Sequence, residues 1–230
     1  FKLDRFDFYK SGIKFISKTK KGDKELDISP TLLSYKMLLN GNVVGIINFV
    51  NNKIVASFKI ENKQFEITEF NGNYVLFEAT NSINPSNFSC AVEDSYESIS
   101  PPISQLPQST PVCVELAVVI DFYTRQTFNS DLESINWALA IFAGVSQIYE
   151  SETNAAIQVS STYIWNIADP YSLFIAQSSA MLAELKNYWQ TNNAAINRDL
   201  VHLLTKRSNT GTGGIAYLDV LCDNNFGYGF

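Results

Sequence analysis

The sequence predicts an α+β / α/β chain in three parts. Residues 1–84 form a β-rich front, 85–111 a connecting segment, and 112–230 a mixed sheet with two crossover helices. Three observations carry this reading. Short runs rich in Val, Ile and Phe fill the front, with Asn-rich turns between them. Ser and Pro dominate the middle, with little aliphatic periodicity. Strand-like and helix-like patterns then alternate to the end.

In order along the chain, "VVGIINFV", "KIVASFKI", "KQFEITEF" and "NYVLFEAT" read as strands of a meander. Asn51, Asn62 and Asn71 mark the turns between them, because Asn tolerates the left-handed conformations that tight turns need. "VCVELAVVIDFY" is the apolar run of a buried strand. Ser130 and Glu133 form an S-x-x-E capping box. Ile135, Leu139, Phe142, Val145 and Tyr149 then follow at helical spacing, one apolar face for a sheet. "AAIQVSSTYIWN" is a second strand. "SSAMLAELKNYWQTN" is a second helix, with Leu182, Leu185 and Trp189 on one face. "DLVHLLTKR" is a third strand, and "GGIAYLDVLC" a fourth extended run. This order implies a mixed sheet with helical crossovers.

Composition narrows the function classes. With 46% hydrophobic and 17% charged residues the chain is globular. No apolar run is long enough to span a membrane. The net charge of −6 argues against nucleic acid as the main partner. The charge is also uneven. Residues 1–84 carry 12 Lys+Arg against 9 Asp+Glu, and residues 85–230 carry 5 against 14. A basic front facing an acidic back suits two parts that dock on each other; solvated surfaces account for it equally well. Cys90, Cys113 and Cys222 are far apart and form no C-x-x-C pair, so a cysteine-based zinc site is not expected.

Four features bear on chemistry. Gly211, Gly213 and Gly214 precede a strand rather than a helix, which speaks against a phosphate loop. A turn into an edge strand fits better, and such a strand pairs with an extended peptide through its main chain. His202 is the only histidine, and its place in "DLVHLLT" reads as structural. Glu115 lies in an otherwise apolar strand and Asp199 starts another. They are either strand-end carboxylates in solvent or partners in a shared cation site. Cys90 sits in a polar segment beside Glu93 and Asp94, where metal ligation by its thiolate competes with a disulfide or an incidental thiol.

"VELAVVIDFYTRQTF", the capped helix, "AAIQVSSTYIWN", "NRDLVHLLT" and "GTGGIAYLDVLC" together resemble the reprolysin (adamalysin) zinc metallopeptidases, within the metzincins. The resemblance covers about residues 112–230, the N-terminal part of the catalytic domain. It implies a metzincin-like sheet and hydrolysis of peptide bonds by a metal-activated water. It also implies that Gly213, Gly214, Ile215, Ala216, Tyr217 and Leu218 form the edge strand along which peptide substrate lies antiparallel. Glu115 and Asp199 match the family's calcium ligands. The zinc helix, His-Glu-x-x-His with a third histidine, is expected beyond Phe230. This segment alone is therefore expected to be inactive without the remaining part of the catalytic domain.

The front then resembles a pro-domain, and 85–111 an activation segment. Cys90 takes the place of the cysteine switch, an inhibitory zinc ligand of the latent form, although "FSCAVED" lacks the family's usual Lys-x-Cys-Gly surroundings. The resemblance implies a secreted zymogen, zinc as cofactor with calcium as a second metal, and protein or peptide substrates. The alternative is a non-enzymatic module that binds peptides or proteins by strand addition at Gly214–Leu218.

Overall fold

In the computed structural model, residues 1–79, 112–221 and 223–230 are described in full, and residues 90–93 through their backbone. Fourteen strands among these residues form two sheets.

The first sheet is antiparallel and begins with β1 (Lys2–Arg5). The meander β4 (Leu33–Leu39), β5 (Asn42–Val50), β6 (Lys53–Ile60), β7 (Lys63–Phe70) and β8 (Asn73–Glu78) completes it. Asn40, Asn51, Asn52, Asn62 and Asn71 at its turns all have positive φ, the conformation for which Asn is suited.

The second sheet contains the strands of the back half. β10 (Val112–Ile120) is flanked in parallel by β11 (Ala155–Trp165) and β12 (Leu200–Leu204). α2 (Asp131–Thr153) and α3 (Ser178–Asn192) make the two crossovers. The Ser130 hydroxyl accepts the Glu133 amide at 3.1 Å, while the Glu133 carboxylate reaches back to the Asn129 amide at 3.0 Å. The box thus closes one residue earlier than its usual form. Ile135, Leu139 and Phe142 are buried and Val145 is partly buried. Tyr149, expected on the same face, is instead exposed because the face turns outward by the last turns. A short helix that the sequence reading missed, α1 (Phe122–Gln126), follows β10. Asp121 caps it, accepting the Thr124 amide at 2.7 Å.

The front half does not stay in its own sheet. β2 (Tyr9–Thr19) pairs in parallel with β11, and β3 (Gly22–Glu25) turns back antiparallel on β2. The reason is apolar: Phe6, Phe8, Phe15, Leu32, Ile46 and Val50 of the front share one core with Val118, Ile120, Ile135, Leu139 and Ile164 of the back. Burying one such side chain stabilises by about 1.5–3 kcal/mol, so this shared core outweighs any surface charge effect. The charge asymmetry has a local counterpart as well. Lys10 pairs with Glu115 at 2.5 Å and Lys36 with Glu150 at 2.6 Å, each a front lysine on a back glutamate. α2 is therefore enclosed between the meander and the second sheet. α3 covers the opposite face of that sheet, packing its Met181, Leu182, Leu185 and Trp189 into one core with Tyr163 and Trp165.

Candidate functional site

The far edge of the second sheet is built from three short strands. β14 (Tyr228–Gly229) lies in parallel beside β12, and β13 (Gly214–Tyr217) lies antiparallel beside β14. Outermost is β9 (Cys90–Glu93).

The glycine cluster acts as a turn into β13. The Thr212 hydroxyl accepts the Gly214 amide at 3.0 Å and donates to the Gly214 carbonyl at 2.8 Å. A side chain at Gly214 would place its Cβ 2.7 Å from the Phe230 carbonyl oxygen, so only glycine permits this approach. Ile215 is buried, and it exchanges two 3.0 Å backbone bonds with Phe230. Tyr217 packs edge-on against Phe226 with centroids 5.3 Å apart, and Lys186 lies 4.2 Å above the Phe226 ring. Leu218, the last residue of the expected rail, follows the strand and is exposed.

The outer edge of β13 is already occupied. β9 pairs with it in parallel, with Cys90 opposite Gly214, Ala91 opposite Ile215, Val92 opposite Ala216 and Glu93 opposite Tyr217. The Cys90 side chain, residues 94–111 and Cys222 lie outside what the structure describes. Cys113 is exposed, and its thiol is pushed up by burial first and by the nearby Glu115 and Asp199 carboxylates second.

Glu115 and Asp199 do meet, at the start of β10 and β12. Asp199 accepts the Glu115 amide at 2.7 Å and donates its own amide to the Glu115 carbonyl at 2.8 Å. The cation beside Glu115 is the Lys10 ammonium. One oxygen of the Glu115 carboxylate is thus held by lysine, and one of Asp199 by the backbone. Lys10 carries no local sequence signal for this, since its partner lies 105 residues away.

His202 sits on β12 beneath Phe142, with ring centroids 5.6 Å apart. Burial lowers its pKa to about 4, so it is neutral at pH 7. Among the described residues no group of three His, Cys, Asp or Glu could hold a metal ion. Those residues therefore do not by themselves fit a catalytic zinc.

Two buried cations were not anticipated by the sequence reading. Lys18 on β2 is bonded to Asp23 at 2.6 Å and lies 5.2 Å from the Tyr163 ring and 5.4 Å from the Tyr188 ring. Burial pushes the Tyr163 hydroxyl up to about 12. Arg198, the residue before Asp199, is buried between Trp189 and Tyr228. The aromatic density of "YIW" and "NYW" was the available hint, but a sequence does not say which cation an aromatic cluster receives.

Residues 137–230 match the family model described as "Metallo-peptidase family M12B Reprolysin-like", less than half of the chain. No curated protein matches. Among solved structures, metalloproteinase-II from Bacteroides fragilis is similar at 9% identity and a TM-score of 0.48. That similarity covers 94% of this chain and 68% of the other. Residues 137–230 are thus similar to the reprolysin-like metallopeptidases of family M12B.

Proposed function

We propose that this chain is the latent part of a zinc metalloendopeptidase, whose own residues 90–93 lie on the strand that peptide substrate would use. The observation that supports this is the parallel pairing of Cys90–Glu93 with Gly214–Tyr217. An edge strand offers a single row of free N–H and C=O groups, so one occupant excludes another. The resemblance implies that substrate runs antiparallel to this strand. A parallel segment has a different hydrogen-bond pattern and the opposite chain direction, so it would occlude the strand without lying there as a substrate does.

In this reading residues 1–84 are the pro-domain, 85–111 the activation segment and 112–230 the N-terminal part of the catalytic domain. Cys90 is the inhibitory zinc ligand. Zinc is the metal that the reading implies, held by residues other than the described ones. This chain contributes backbone binding of the peptide at Gly214–Leu218 and occlusion of that strand before activation. The segment is inactive by itself, its substrates are proteins or peptides, and its place of action is extracellular. The pairing of β9 also fits a module that binds strands without cleaving them, and catalysis separates the two.

The test is the natural protein carried through activation. Zinc content and cleavage of an unfolded protein substrate are measured before and after proteolysis within 85–111. One bound zinc, and chelator-sensitive cleavage that rises after proteolysis, are expected. A protein that binds no zinc and cleaves nothing after proteolysis overturns the enzyme reading and leaves the binding module.

A further inference from the structure

We propose that Arg198 is a positioning residue for the peptide edge, clasping the loop that mounts β13 on the sheet. The inference rests on reading β13 as the peptide rail. β13 has two neighbours, β14 and β9. If β9 gives way to substrate, β14 alone holds the rail to the sheet. β14 is only two residues long, and its register is two pairs, Val201 with Tyr228 and His202 with Gly229. So short a strand does not fix its own position.

Arg198 supplies what the strand lacks. One guanidinium nitrogen donates to the Tyr228 hydroxyl at 2.7 Å and to the Asn224 carbonyl at 3.2 Å, and another faces the Asn224 side-chain oxygen at 3.4 Å. The guanidinium carbon lies 5.5 Å from the ring centroids of both Trp189 and Tyr228. Arg198 is only 5% exposed, and among the described residues no carboxylate bridges it and its Nε has no partner. A buried cation held by neutral acceptors and ring faces is costly to keep, so its geometry has to do something. It joins the end of α3, through Trp189, to both ends of the 224–228 loop. Val201 then donates to the Gly227 carbonyl at 2.8 Å, and Ile215 closes on Phe230. The planar fork is essential because a lysine ammonium cannot reach the same acceptors while stacked on two rings.

The test is amide hydrogen exchange in the full chain for Arg198→Met, Arg198→Lys and Tyr228→Phe. The Ile215 and Phe230 amides are expected to exchange roughly tenfold faster or more in both Arg198 variants, and to move in the same direction in Tyr228→Phe. The Val118 and Val119 amides of β10 are expected to keep their protection. Unchanged exchange at Ile215 and Phe230 overturns the proposal. Equal acceleration across β10 and β11 also overturns it, because Arg198 would then be a general stabiliser. If Arg198→Met fails to fold, the other two variants still decide. The exchange result does not depend on catalysis, so failure of the peptidase reading and failure of this proposal are separately visible.

Discussion

At the scale of single residues, His202 gives the most direct pH prediction. Its folded pKa of about 4 lies below the ordinary value of 6.5. The unfolded chain therefore binds the proton more readily, and stability is lost as pH falls from 6.5 toward 4. The loss is roughly 1–3 kcal/mol. Urea unfolding of His202→Gln and of the parent chain at pH 7 and at pH 4.5 checks it. The variant's stability should fall less between the two pH values, and equal falls would count against burial as the cause. The structural character of His202 was legible because it alternates with Val201 and Leu203 on one strand. The fates of Glu115 and Asp199 were only half legible. Their position at neighbouring strand starts followed from the pattern, but the cation facing Glu115 came from a lysine on a strand of the front. Periodicity reports which face a residue takes, and it carries no information about a partner a hundred positions away.

At the scale of elements, α2 shows what local chemistry supplies. Ser130→Ala removes the hydroxyl that accepts the Glu133 amide and should cost about 1 kcal/mol, read as a lower thermal midpoint. Little change would mean that the Glu133–Asn129 bond holds the helix start by itself. The meander, both crossover helices and the strand after the glycine turn were all legible. Each is set by nearby residues: turn asparagines, a capping box, or an apolar stripe. β2 was not, because "YKSGIKFISKT" looks like one more strand of the front sheet. Its partner β11 is chosen by the core that Phe15 enters, which is a tertiary effect. β9 was hidden for a different reason. "CAVE" is too short for a strand signal, and its neighbours are Ser and Pro. Pairing with β13 is what makes it a strand.

At the scale of the whole molecule, the front and back share one core, so they should unfold together. All three tryptophans, Trp137, Trp165 and Trp189, lie in the back half, whereas Phe15 lies in the front. Phe15→Ala should lower stability by about 3–5 kcal/mol. Tryptophan fluorescence and far-ultraviolet circular dichroism should follow one coincident transition in parent and variant. Two separated transitions would mean that the halves are independent units. The larger claim is that the chain covers its own peptide rail with residues 90–93. The most direct measurement is titration of an extended peptide into the intact chain and into a variant with Cys90–Glu93 replaced by glycine and serine. The amides of Ile215, Ala216 and Tyr217 are followed by NMR. Peptide-dependent shifts at these three amides should appear in the variant and be weak or absent in the intact chain. Equal shifts in both proteins, or shifts in neither, would contradict it.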